Sequence, residues 1–210
     1  MKARESGDEA ETALRRLPSQ RRSRERVERL LSCASEMIAA EGSDALKMSE
    51  VARRAGVSIG SLYQYFPDKS ALVRTLAERY NREGRHCIEV GLAGVETLDQ
   101  LCDAFCRLID SYYKIFLAEP VIRDIRSATQ ADRTLRDMEL ADSRANGAIL
   151  AEALVRVRPV ADRQALASRT FFIMHLGEAT MRLAISVERA EGDALVAAYK
   201  RMALTELRRA

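Results

Sequence analysis

Residues Val51 to Phe66, read with their flanks as Lys47-Met-Ser-Glu-Val-Ala-Arg-Arg-Ala-Gly-Val-Ser-Ile-Gly-Ser-Leu-Tyr-Gln-Tyr-Phe-Pro-Asp-Lys69, restrict the fold of this chain more than any other stretch. Two short helical patterns meet there at a sharp turn. Val51, Ala52 and Ala55 give the first an apolar side, and Gly56 stands where that helix should end, because glycine enters the left-handed region at little steric cost. Val57 fills the corner, and Ser58 is placed to cap the next helix through its side-chain oxygen. In that second helix Leu62 and Phe66 lie four apart and turn inward, which leaves Ser61, Tyr63, Gln64 and Tyr65 largely outward. A helix with so polar and aromatic an outer face has few reasons to be core. The pattern predicts a helix-turn-helix whose second helix is the recognition element.

The rest of the chain is written for helices too. Four prolines and ten glycines in 210 residues leave long uninterrupted stretches, and no strand-like alternation of useful length appears, so the fold class is all-α. Hydrophobic residues at 47% and charged residues at 31% suit a globular protein with a real core. No apolar run reaches the roughly 18 residues of a membrane span. The start, Met1-Lys-Ala-Arg-Glu-Ser-Gly, lacks the apolar segment of an export signal, so a cytoplasmic protein is expected. Its four cysteines, Cys33, Cys87, Cys102 and Cys106, lack the CxxC pairs of a structural zinc site and are expected as reduced, mostly buried thiols. A formal net charge of +3 is mild, but Arg15, Arg16, Arg21, Arg22, Arg24, Arg26 and Arg29 crowd one short stretch against only Glu25 and Glu28. Beside a helix-turn-helix, such a run suits DNA phosphates or a minor groove.

Taken in order, residues 1–19 read as a flexible arm broken by Pro18. From Gln20 to Glu41, Val27, Leu30, Leu31, Ala34, Met37 and Ile38 form a helical stripe that Gly42 closes. Ser49 is expected as the N-cap of the second helix, freeing backbone N–H groups for a phosphate. Asp68 is placed to cap the fourth helix. Lys69 falls in that helix's first turn, where a cation opposes the helix dipole unless an anion lies nearby. Gly84, Gly91 and Gly94 loosen the chain and suggest a boundary between a reading domain, 20–84, and a second helical domain, 85–210. Five helices are expected beyond it, from Leu98 to Leu117, Pro120 to Thr129, Ala131 to Val157, Asp162 to Ala190 and Gly192 to Arg208. The fourth of these is apolar nearly all round and the last offers one broad apolar face, which suits a four-helix interface in a homodimer.

The stretch from Arg24 to about Tyr80 strongly resembles the tetracycline-repressor (TetR) family of bacterial transcription regulators. The resemblance rests on Met48-Ser-Glu-Val-Ala-x-x-Ala-Gly-Val-Ser-x-Gly-Ser-Leu-Tyr-x-Tyr-Phe-Pro-Asp-Lys69, preceded by a helix ending Ala39-Ala-Glu-Gly42. It implies an N-terminal three-helix DNA-binding domain, a C-terminal helical domain for effector binding and dimerisation, and a repressor released from a palindromic operator by a small molecule. Carried over residue by residue, Ser49 and Lys69 would hold phosphates. Ser58, Gly60 and Ser61 would lie where the backbone nears the DNA. Tyr63 and Tyr65 would meet phosphates or thymine methyls, and Gln64 would read a base directly, since its amide matches adenine N6 and N7. Arg21, Arg22 and Arg24, outside the family signature, could reach the minor groove.

For the effector, Phe105, Tyr112, Phe116 and Phe172 are candidates for an apolar lining and His175, Glu178 and Arg182 for polar contacts. Packing and an ion pair at a subunit interface explain the same residues. Two other regulators remain open. One senses a metal or oxidant through Cys102 and Cys106, one helical turn apart; the other represses without any effector. No cofactor and no resident metal is implied. There is no nucleophile elbow, phosphate loop or zincin motif to suggest an enzyme. The operator, target genes, effector and direction of regulation are not written in the sequence.

Overall fold

The structure is a computed structural model that describes the backbone of residues 5–128 and 132–209 and the side chains of 21–126 and 132–209. Among the described residues all regular structure is helical: α1 Glu5–Glu41, α2 Met48–Arg54, α3 Ile59–Tyr65, α4 Lys69–Leu92, α5 Leu98–Ala118, α6 Pro120–Ala128, α7 Arg133–Val157, α8 Arg163–Ala184 and α9 Arg189–Arg209. No helix among them is long and apolar enough to cross a membrane. The first helix begins at Glu5, so most of the expected arm lies within α1, consistent with its many Ala, Glu, Leu and Arg residues. Residues 1–4 of that arm, and the expected helix ends at 129 and 131, lie outside the described residues.

Two compact units divide the chain, Met1–Val73 and Arg74–Ala210. The division falls inside α4, earlier than the boundary expected at 84. Gly84 does not interrupt the helix, because one glycine costs only about 1 kcal/mol against alanine. The stop comes at Leu92, whose carbonyl accepts a hydrogen bond from Arg156 Nη2 at 2.6 Å and so does not remain an orphan of the helix end.

In the first unit Leu30, Ala34 and Ile38 of α1, Val51 of α2 and Leu62 of α3 are buried together with Leu72. The turn between α2 and α3 is a Schellman motif. Gly56 has φ +66°, its N–H donates to Arg53 O at 3.2 Å, and the Val57 N–H donates to Ala52 O at 3.0 Å.

In the second unit α7, α8 and α9 pack closely around a core that includes Leu101, Phe105, Phe116, Leu154, Met181 and Leu207. Asp132 and Asp162 cap α7 and α8, each accepting two backbone N–H bonds. The break between α8 and α9 falls at 185–188, not at Gly192. Ser186 Oγ donates to the Arg182 carbonyl at 2.7 Å, competing with the backbone where α8 ends. Gly192 lies inside α9 because a Cβ there would run into the Ala184 carbonyl.

Candidate nucleic-acid interface and effector cavity

The turn delivers α3 as a short, firmly held helix. Ser58 Oγ accepts from the Ser61 N–H at 3.1 Å, and Leu62 and Phe66 are the residues that anchor it. Tyr63 is 49% and Ile59 43% exposed, Gln64 is exposed, and an added Cβ at Gly60 would meet nothing within 4 Å. Ser61 and Tyr65 are half-buried. The Tyr65 phenol accepts a hydrogen bond from Ser23 Oγ at 3.2 Å, which joins α3 to the arginine-rich part of α1. That hydrogen bond, followed by the nearby Arg26 charge, draws the Tyr65 pKa below its ordinary value, with burial opposing.

Ser49 is exposed but is not the cap of α2. Lys47 holds that place; its side chain, a donor without an acceptor, makes no cap bond, and its carbonyl accepts from the Glu50 and Val51 N–H groups at 3.1 Å. Glu50 is engaged by Arg53 and Arg54, whose hydrogen bonds hold its carboxyl down at about 2. Asp68 Oδ1 caps α4 through the Ala71 N–H at 2.6 Å, as expected. Lys69 Nζ donates to the Asp44 carbonyl at 3.0 Å, so its cation has an acceptor within the chain. Arg21, Arg22 and Arg24 are exposed, with Arg21 paired to Glu25 at 2.8 Å. Ile59 escaped the sequence reading. Its apolar side chain gives no sign in composition that it faces out, although its place just after the Ser58 cap puts it at the tip of α3.

The second unit holds a cavity of about 490 Å³ lined from α4 to α9. Ile88, Leu92, Phe105, Leu108, Leu150 and Met174 supply apolar wall. One end is polar. The Tyr112 phenol donates to Glu178 Oε1 at 2.7 Å, and Arg126 Nε lies 3.7 Å from Glu178 Oε2, too long for a hydrogen bond. Beside them Asp142 accepts from Arg85 Nη2 at 2.6 Å and from Asn146 Nδ2 at 3.2 Å. Burial pushes the Tyr112 pKa well above the ordinary phenol value. Burial also works against the charge on Arg126, but Glu178, Tyr112, Asp142 and Glu139 together hold its pKa above the usual arginine value.

Of the residues expected around an effector, Phe105, Tyr112 and Glu178 line this cavity. Phe116 lies behind the wall, edge-on to Tyr112 at 4.9 Å between ring centroids. Phe172 is 60% exposed, His175 Nδ1 meets Ser143 Oγ at 3.2 Å, and Arg182 pairs with Glu139 at 2.6 Å. His175, Glu178 and Arg182 are therefore not one cluster. At about 100° per residue, Glu178 is turned some 60° from His175, enough to face α5 and α6 while the other two face α7.

Arg126, Asp142 and Asn146 were missed, yet α7 carried a signal. Glu139, Asp142 and Asn146 fall on the same buried stripe as Leu135, Leu150 and Ala153, so polar residues occupy core positions. Cys102 is buried and Cys106 half-buried, and burial pushes both thiols up, away from the thiolate that binds metals. Among the described residues no group of three or more His, Cys, Asp or Glu side chains could hold a metal ion.

Residues 99–210 match the tetracyclin repressor-like C-terminal domain, and residues 30–76 match the bacterial regulatory proteins of the tetR family. Over 72 residues the chain is 38% identical to the HTH-type transcriptional repressor KstR of Mycolicibacterium smegmatis, which is 34% of this chain and 35% of that one. The match thus spans about a third of that relative's length. A TetR-family transcriptional regulator from Streptomyces coelicolor superposes with a TM-score of 0.69 at 21% identity, covering 89% of this chain and 98% of the other. The transcriptional regulator FadR from Bacillus subtilis, solved in complex with stearoyl-CoA, superposes with a TM-score of 0.61 at 18% identity, over 86% and 96% of the two chains. At those identities the likeness establishes a common fold.

Proposed function

This chain belongs to the tetR family of bacterial regulatory proteins, and from that premise we propose that it is a sequence-specific DNA-binding transcriptional repressor, acting in the cytoplasm and released from its operator by a small molecule. One observation carries the DNA half of this reading. A capped seven-residue helix keeps Leu62 and Phe66 inward and holds Ile59, Tyr63 and Gln64 out to solvent. In the major groove Gln64 reads an adenine edge and Ile59 meets a thymine methyl, while Tyr63 sets register. The open space around Gly60 lets backbone near the DNA between Ser58 and Ser61. Ser49 and Lys69 contact phosphates, with Lys69 exchanging its bond to Asp44 O, and Arg21, Arg22 and Arg24 extend the contact along the duplex. Tyr65, tied to Ser23, orients α3 rather than touching DNA.

The cavity between α4 and α9 is the effector site. Phe172 and Leu183 on α8 and Met202 on α9, respectively 60%, 51% and 60% exposed, form the contact between two copies of the chain. Such a dimer fits DNA when its recognition helices stand roughly 34–36 Å apart, and an effector that favours another spacing weakens binding.

A binding site selected from random duplexes by the full-length protein tests the DNA assignments. Gln64→Ala is expected to relax preference at one base position, by about 1–3 kcal/mol, whereas Lys69→Ala weakens binding to all sequences and lowers the salt slope by about 1. If Gln64→Ala selects the wild-type sequence with unchanged selectivity, the base-reading role is wrong. If the wild-type protein selects no sequence, the repressor reading falls.

A further inference from the structure

The cavity's own charges restrict what it takes. Its apolar walls demand an apolar body, and its volume lies in the range of drug-sized ligands. Among the described lining residues the ionisable carboxyls are Glu83, Glu119, Asp142 and Glu178, and the one basic side chain is Arg126. Arg126 is committed to Glu178, Arg85 to Asp142, and Arg79 to Glu83 at 3.0 Å. A carboxylate or phosphate brought inside would meet no cation that is not already balanced, and would add its charge to a carboxyl-rich wall. A cation fares little better at the polar end, because the buried pair Arg126–Glu178 and the half-buried pair Arg85–Asp142 already balance there and its desolvation would go uncompensated. The occupant is therefore neutral.

Hydrogen-bond bookkeeping then fixes the sense of its polar group. Glu178 Oε1 is taken by Tyr112, but Glu178 Oε2 has no hydrogen-bond partner, on a side chain that is only 10% exposed. Asn146 Oδ1 and Asn81 Oδ1, on two other lining residues, are also buried without partners. The unpartnered donor nearby, Arg85 Nε, belongs to a residue that does not line the cavity. These acceptors, buried on side chains that line the cavity, lack a donor, and a buried polar atom left unmatched carries a desolvation penalty that a ligand donor removes.

We propose that the cavity binds a neutral, largely apolar molecule bearing a hydroxyl group, which donates its hydrogen bond to Glu178 Oε2. This rests on the reading of the cavity as the effector site.

Calorimetry on the full-length protein with one skeleton and four polar ends tests it: 4-hexylphenol, its methyl ether 4-hexylanisole, 4-hexylbenzoate and 4-hexylbenzylamine, with stearoyl-CoA as a polyanionic probe. The phenol is expected to bind about tenfold or more tighter than the ether, since a hydrogen bond to a charged acceptor is at stake, and tighter than either ion or the CoA ester. In Glu178→Gln, where an NH2 donor replaces one of the two oxygens so that Tyr112 and the ligand no longer each meet an acceptor, the gap between phenol and ether should shrink to about twofold. Equal binding of phenol and ether, preference for an ionic probe, or no binding by any probe overturns the proposal. Fluorescence anisotropy on the selected DNA separates the two readings. If the phenol binds with the expected preference and the DNA stays bound, the ligand class stands and release by an effector falls.

Discussion

Gly147 and Gly192 set how closely the helices of the second unit approach one another. A Cβ on Gly147 would come within 2.7 Å of the Phe171 backbone N, and one on Gly192 would strike the Ala184 carbonyl and lie 2.8 Å from the Tyr113 hydroxyl. Backbone cannot step aside as a side-chain tip can, so the strain must spread into neighbouring turns. Gly147→Ala and Gly192→Ala are each expected to destabilise the protein by about 1–3 kcal/mol in urea unfolding. Gly84→Ala should do the opposite, gaining about 0.5–1 kcal/mol, because that glycine is helical and nothing lies within 4 Å of the added methyl. If all three substitutions destabilise alike, close packing is not what the first two serve. None of this was legible beforehand. The sequence presents Gly192 as a break between helices, and only the neighbouring helix supplies the carbonyl that explains it. Glu178 stands out in the sequence as a polar residue on an apolar helix, but its partners Tyr112 and Arg126 come from two other helices.

Local elements were readable to the extent that their determinants are local. The Schellman turn and the Ser58 cap depend on a few consecutive residues, from Ala52 to Ser61, and both form as expected. Ser58→Ala should lower stability by about 1 kcal/mol, measured by thermal or urea unfolding, since it removes the acceptor for the Ser61 N–H from a helix of only seven residues. No loss of stability would mean that Leu62 and Phe66 alone hold α3. The start of α2 was misplaced by a short distance because Lys47, without any capping side chain, begins the helix through its carbonyl. Helix α8 ends earlier than its apolar composition suggests. Hydropathy carries no record of Ser186 turning back on the Arg182 carbonyl. The polar stripe of α7 was visible in the spacing of Glu139, Asp142 and Asn146, but its meaning depends on which helices face it.

At the scale of the molecule, the turn between α2 and α3 and the inward residues of the first unit could be read from the sequence, whereas in the second only the helices and their order could. The difference is physical: a helix-turn-helix is built from neighbours in sequence, and a cavity is built from residues that meet only after folding. Assembly belongs to this scale as well. Phe172 and Leu183 lie eleven residues apart on α8, close to three full turns, so they share one exposed stripe. The double variant Phe172→Glu with Leu183→Glu is expected to sediment at half the wild-type mass at micromolar concentration and to lose operator affinity, with far-UV dichroism unchanged. Sedimentation like the wild type would move the contact between copies elsewhere. Lastly, the polar end of the cavity draws Arg85, Tyr112, Arg126, Asp142 and Glu178 from α4, α5, α6, α7 and α8, one residue from each. In evolutionary terms each is a separate codon, distant from those that encode α2 and α3. With the cavity as the proposed effector site and α3 as the proposed DNA-reading helix, a duplicated gene can therefore come to answer a new molecule through a single change on one helix, while its product goes on recognising the same stretch of DNA.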